Sequence, residues 1–402
     1  MTLPLTFPPR PSLPLDGGSW SDVPGARCGV AKGRIKLRAD RDDVVVLFTP
    51  GGSVAGVTTL STAAAAPCRW TRDRLPGRAS AVVINSGNAN AATGRQGEAD
   101  TLATAQAVAE ALGVEADEVL VCSTGVIGQP MPMDRLLPAA REAAANLGDH
   151  GHRAAKAILT TDLVVKEVGL VVDGIRFGGM AKGSGMIHPN MATMLGFIAC
   201  DAKVAPEHLQ PLVAAICDRT FNAITVDGDT STNDTFLVQC TGHGKELSPQ
   251  TPGWASFTFG LEVAALELAR AIARDGEGAT SLVEVVVMGL EDDAQARHAA
   301  RAVVRSNLLK SAIHGRDPNW GRIVGALGAA GVPHLDALDL DIAGVPVMRG
   351  GQVLAWDQAA ASAGLRSVDV QITARLPGVG LGRAYGCDLS AEYVKINADY
   401  RS

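Results

Sequence analysis

The segment KGSGMIHPNMATMLGFIACDA, residues 182–202, brings one hydroxyl to the head of an apolar run. Two glycines, a proline and an asparagine lead into Met191–Ile198, where Thr193 is the lone hydroxyl. Threonine is an ordinary strand residue, and its hydroxyl can simply bond a nearby carbonyl. It is also a nucleophile if a base takes its proton, and a threonine at a chain end carries that base as its own α-amine. An α-amine titrates at about 7.7–8.0, so much of it is neutral near physiological pH. This chemistry requires a cut between Ala192 and Thr193. The small Ala192 suits an N-to-O acyl shift, in which the Thr193 hydroxyl attacks the Ala192 carbonyl and water later opens the ester. Gly183, Gly185 and Pro189 would supply the tight loop that strains this bond.

Other polar loops fall where strands should end: NSGNAN (85–90), STG (123–125), TTD (160–162), DGDTSTND (227–234), DGEGAT (275–280), HGRDPNWGR (314–322) and the terminal NADYRS (397–402). Each alone reads as a turn, because Asn, Asp, Ser and Gly make turns. Together they outnumber what turns need. Familiar alternatives do not fit. DGDTSTND lacks the Gly and Glu spacing of a calcium loop, KGSGM lacks the phosphate-loop order, and no GxSxG elbow occurs. His188 and His314 read as structural or surface residues, with no acid placed beside them in sequence. No metal site is expected.

The elements that must hold these loops alternate between strand-like and helix-like segments. Strand-like runs that open into polar loops are expected within 80–94 and 118–128, a further strand at 281–290, and helices at 101–112, 205–218, 260–278 and 295–313, with Pro211 counting against the second helix. In 260–278, Leu261, Ala264, Ala265, Leu268 and Ile272 share one face. This interleaving predicts an α+β class with more than one layer. The chain has 402 residues, 47% apolar and 19% charged, enough for a large core. Its net charge of −6, without a basic run, argues against nucleic acid and membrane partners. Prolines break the opening MTLPLTFPPRPSLPLDGG, and no stretch of about 18 apolar residues follows, so a cytoplasmic protein is expected. Seven cysteines without CxxC spacing predict neither disulfides nor zinc.

AKGSGMIHPNMATMLGFI, with ATML at its centre, resembles the signature of the ornithine acetyltransferases, the ArgJ family of self-cleaving enzymes of arginine biosynthesis. INSGNANAATG, CSTGVIG, ILTTD, TVDGDTSTND, RDGEGAT, HGRDPNWGRI and INADYRS resemble further family blocks in family order over nearly the whole chain. The resemblance implies that Thr193 is acetylated by N-acetylornithine and deacetylated by glutamate, a ping-pong transfer through an ester. It implies that Thr124 and Gly125 form the oxyanion hole, that Lys182 and Thr160 or Thr161 contact substrate, and that Asn397 and Ser402 do so from the C-terminus. In the same way Glu277 would pair with the ornithine side-chain ammonium and Lys182 with a substrate carboxylate. No cofactor is implied, although acetyl-CoA serves as a second donor substrate in some members.

The implied fold is a stack of mixed β-sheets sandwiched between helix layers. Its two products, 1–192 and 193–402, would interweave and pair again into a heterotetramer of two alpha and two beta fragments, with a smaller C-terminal lobe over about 285–402. The chain departs from the family pattern in places. It ends in Ser402 where Thr is usual, has Ser281 where Lys is common, and GVTTLSTAAAAPCRW (56–70) keeps only an outline of a block that lies near the substrate pocket. Two rival readings follow: a self-cleaving aminopeptidase or amidase, with water as acceptor, and an uncleaved amino-acid-binding homologue that is not an enzyme.

Overall fold

In a computed structural model, which describes residues 18–36, 40–188 and 194–399, runs of β-branched residues form strands whose two faces enter different cores. The strand Val44–Phe48 reads VVVLF: Val45 and Leu47 face one way, Val44 and Val46 the other, and all four are buried. Its four-stranded sheet runs in the order Arg27–Ala31, Val44–Phe48, Ala81–Asn88, Val119–Val126, antiparallel except for the parallel last pair. A six-stranded sheet has the order Gly77–Arg78, Ser53–Thr58, Thr235–Cys240, Leu195–Cys200, Ile175–Lys182, Lys166–Val172. Only Thr235–Cys240 and Leu195–Cys200 run parallel within it.

These two sheets pack face to face. Leu47, Ile84 and Leu120 from one meet Met180, Phe197 and Leu237 from the other in a shared apolar layer. Helices Gly94–Leu112 and Met133–Ala145 cover the outer face of the first sheet through small residues such as Ala105, Ala139 and Ala143. Pro206–Arg219 and Trp254–Arg274 cover the outer face of the second, where Leu261, Ala264, Ala265, Leu268 and Ile272 are all buried. The result is a helix–sheet–sheet–helix stack, the α+β class the segment pattern predicts. A third sheet of seven strands, with Leu282–Leu290 and Gly380–Cys387 near one end, builds a separate core against helices Asp293–Arg305 and Trp320–Ala329.

Three helices differ from their predicted spans, the one expected at 260–278 running from Trp254 to Arg274. The one expected at 101–112 starts at Gly94. The one expected at 295–313 is two helices, Asp293–Arg305 and Asn307–His314. Ser306 sits between them in an extended conformation (φ −62°, ψ 109°), and its hydroxyl accepts from the Leu309 N–H, so it caps a new helix instead of continuing the old one. Pro211 stays inside Pro206–Arg219 without breaking it. No helix among the described residues is long and apolar enough to cross a membrane. All seven cysteines are buried.

Candidate active site

The two central strands Ile175–Lys182 and Leu195–Cys200 are antiparallel neighbours, with Lys182 opposite Leu195. Ala192 and Thr193 lie outside the described residues, as does Ser402. Either side of that gap is well fixed. Gly183 donates its N–H to Asp162 Oδ1 at 2.6 Å, Met186 and Ile187 donate theirs to the Asp227 carboxylate at 2.5 and 2.9 Å, and Met194 donates to Asp234 Oδ1 at 2.5 Å. Met186 holds φ at 55°, a left-handed conformation that costs energy for a side chain of its type and is retained here by the Asp227 bond.

Thr124, Gly125, Thr160, Thr161, Lys182, Glu277 and Asn397 line one cavity of about 250 Å³, together with Met186, Ser231 and Thr232. That is small beside the roughly 300–1,000 Å³ of drug-sized sites, and suits an amino acid. The predicted site residues outside the gap and the chain end therefore meet in one place, and both Thr160 and Thr161 reach it. Gly125 has φ 134°, and an added Cβ would lie 2.3 Å from the carbonyl carbon of Gly87, because the parallel strands close up where they leave the sheet. Gly185 lies against Glu277, whose carboxylate would have to move for a Cβ there, 2.4 Å away. Gly125→Ala must push the backbone aside at Thr124 and Gly125, and with these two as the oxyanion-hole donors that the family resemblance implies, a loss of about 10²–10³ in kcat is expected from steady-state kinetics.

A buried ionic trio supports the floor of this cavity. The Lys166 ammonium lies 2.8 Å from Asp162 Oδ1 and 2.6 Å from Asp275 Oδ2, with all three side chains almost fully buried. Asp162 also accepts from the Thr160 N–H at 3.0 Å and lies 3.9 Å from Lys182, so a single carboxylate ties Thr160, Gly183 and Lys182 together. Burial would raise its pKa, but the Lys182 and Lys166 ammoniums and the Gly183 N–H outweigh that and hold it far below the usual range. Lys182 donates to Thr124 Oγ1 at 3.3 Å, which puts a cation at the corner where Thr124 and Gly125 stand. Its own pKa is lowered by burial, opposed by Asp162, Asp234 and Glu277.

Glu277 reaches the cavity because its N–H bonds the Ser184 carbonyl at 2.9 Å, while Ser184 Oγ donates to the Asp275 carbonyl at 2.6 Å. Asn397, on the C-terminal helix Ala391–Asp399, donates to Glu277 Oε2 at 2.8 Å. Asn233 locks three polar loops by donating to the Ala89 and Ser123 carbonyls at 2.6 and 2.9 Å. The atypical block 56–70 sits behind this corner: Thr59 Oγ1 donates to the Ser231 carbonyl and the Ala65 N–H to the Thr232 carbonyl, both at 2.8 Å.

Sequence reasoning passed over Asp162, Lys166, Asp275 and Asp234. A single lysine inside the apolar run LVVKEVGLVV was the available signal for Lys166. Asp234 is fully buried, and its Oδ2 has no hydrogen-bond partner among the described residues. Burial pushes its carboxyl well above the usual range, against the Met194 N–H and the Lys182 charge. The two histidines considered as bases stand elsewhere: His314 pairs with Asp388 at 2.8 Å, and His188 faces Thr225 and Arg301. No group of three or more metal-ligating side chains occurs among the described residues.

Four stacked layers carry a small polar cavity at the ends of their central strands, where Lys182 and Glu277 place charges of both signs. The chain belongs to the ArgJ family, which it matches over residues 27–402, and it is an enzyme of arginine biosynthesis. It is 48% identical to the arginine biosynthesis bifunctional protein ArgJ of Thermosynechococcus vestitus, over 95% of this chain and 98% of that one. It is 50% identical to the ArgJ protein of Parasynechococcus marenigrum, over 89% of each chain. The crystal structure of the Bacillus halodurans ArgJ protein covers 52% of this chain and 100% of its own, at 44% identity and a TM-score of 0.51.

Proposed function

We propose that this enzyme moves an acetyl group from N-acetylornithine to glutamate through an ester on Thr193, after the chain has cut itself between Ala192 and Thr193. The observation that carries the reading is the convergence of Thr124, Gly125, Lys182 and Glu277 on a cavity sized for an amino acid, bordered by the loop that leads to Thr193. In the first half-reaction the Thr193 hydroxyl adds to the acetyl carbonyl while its α-amine takes the proton. The donors at Thr124 and Gly125 stabilise the resulting oxyanion, at about 3–4 kcal/mol for each good donor. Collapse of the intermediate passes the proton to the departing α-amine of ornithine. Glutamate then attacks the ester by the same route and restores the hydroxyl. Glu277 suits the ornithine side-chain ammonium, and Lys182 a substrate carboxylate. The two products would reassemble as a heterotetramer. The word bifunctional in the relatives' names favours a second donor, acetyl-CoA, feeding the same ester.

Intact mass under denaturing conditions, with N-terminal sequencing, tests the cut; an assay of acetyl transfer against hydrolysis tests the acceptor. Two fragments, one beginning at Thr193, together with transfer to glutamate, are expected. Hydrolysis without transfer would make the protein an amidase. An intact chain that binds ornithine would leave the non-enzymatic reading. Glu277→Gln should raise KM for N-acetylornithine about 10- to 100-fold with a smaller change in kcat, the loss of one charge-assisted contact. Unchanged KM removes that role from Glu277.

A further inference from the structure

A larger cavity of about 1190 Å³ lies outside the transfer pocket, between the third sheet's helices and the loop at 228–230. Its charge is one-sided. Arg301, Arg305 and Arg322 line it with His188 and His298, and no carboxylate is among the described lining residues, although Asp218 acts on Arg301 from outside the lining and the chain as a whole carries a net charge of −6. Arg305 is exposed at the mouth, and its guanidinium approaches Gly228, a glycine with φ 85°. Two helices begin at the rim, Asn307–His314 behind its cap Ser306 and Trp320–Ala329 behind its cap Asn319, and each adds the positive end of its dipole. The helix that carries Arg322 continues as a wall of small residues, Gly325, Ala326, Ala329 and the following Ala330, and the exposed Leu308 also lines the cavity. His188 registers the local field: burial, then Arg301 and Arg305, push its pKa down to about 4. HGRDPNWGR, which has no member in the transfer pocket, contributes Asn319 and Arg322 here, and Gly228, Thr230 and His188 complete the lining.

We propose that this groove is a binding site for a phosphate-bearing ligand of nucleotide size, with its phosphates on Arg301, Arg305 and Arg322 and its planar or apolar part on the Ala326–Ala330 wall. Guanidinium forks match phosphate oxygens, and a volume above the roughly 300–1,000 Å³ of ordinary ligand sites leaves room for more than an inorganic ion. The proposal is independent of the acetyl-transfer reading, since none of these residues borders the transfer pocket.

Isothermal titration of the purified full-length protein with ADP, and separately with pyrophosphate, tests it. Saturable binding of both is expected, tighter for ADP and weakened as salt is raised from 50 to 300 mM. Arg305→Glu should weaken ADP binding at least about 10-fold, and Arg305→Lys, which keeps the charge and loses the fork, should weaken it by a smaller factor. Thr193→Ala should bind ADP as the wild type does, which separates this site from the transfer chemistry. The proposal is overturned if neither probe saturates at millimolar concentration in low salt, or if Arg305→Glu binds ADP unchanged. It is equally overturned if Arg305→Glu and Leu308→Asp alter the oligomeric state by sedimentation without altering ADP affinity, because the groove would then join copies of the chain.

Discussion

Thr193→Ala is expected to purify as one uncut chain of 402 residues that transfers no measurable acetyl group. Both losses come from one atom. Without the hydroxyl there is no N-to-O shift to open the Ala192–Thr193 bond, and without the cut there is no α-amine beside a nucleophile. Removing the covalent nucleophile from an acyl-transfer site costs on the order of 10⁶ in kcat. Thr193→Ser keeps a hydroxyl on the same carbon and should cleave slowly with partial transfer. The readout is denaturing mass spectrometry alongside an acetyl-transfer assay. Cleavage and transfer by Thr193→Ala would show the nucleophile assignment to be wrong.

The second large effect lies beneath the pocket. Lys166→Ala leaves Asp275 a buried carboxylate without its cation and Asp162 with Lys182 alone at 3.9 Å, and removing one partner of a buried ionic group costs about 3–5 kcal/mol. Against a total stability of roughly 5–15 kcal/mol, that shifts the urea midpoint strongly. Transfer should fall as well, because Asp162 also holds Thr160 and Gly183 in place. Asp162 has a folded pKa below its unfolded value of 3.8, so its contribution is complete above that pH and is lost as pH falls beneath it. Asp234 has the opposite sign. Its raised folded pKa means that stability declines as pH climbs above 3.8, and Asp234→Asn should remove that decline. Urea titrations between pH 2 and pH 7 would read the onset of the first slope below 3.8 and the second above it. A Lys166→Ala midpoint equal to wild type would refute the ionic account.

The polar loops were legible because Gly, Asn and Asp cluster where strands end, and the stack's helices because Leu261 to Ile272 repeat on one face. What escaped was pairing at long range. Lys166 and Asp275 are 109 residues apart, and the acid that His314 seemed to lack is Asp388, 74 residues later. Nothing in local spacing reveals such partners, since they are brought together by strand order. The break at Ser306 escaped for a local reason: the apolar period runs on across it, while the capping hydroxyl of one serine decides where the helix stops.

The pairing of Leu195–Cys200 with Ile175–Lys182 on one side and Thr235–Cys240 on the other also bears on the order of events during synthesis. A cut at residue 192 would fall in the middle of the six-stranded sheet, whose other members come from both sides of that point. Each half translated alone would present a bare strand edge along an apolar sheet, a surface that recruits other chains. Maturation is thus constrained to follow folding. Co-expressed halves should yield mostly aggregate, while the single precursor delivers both pieces already in register.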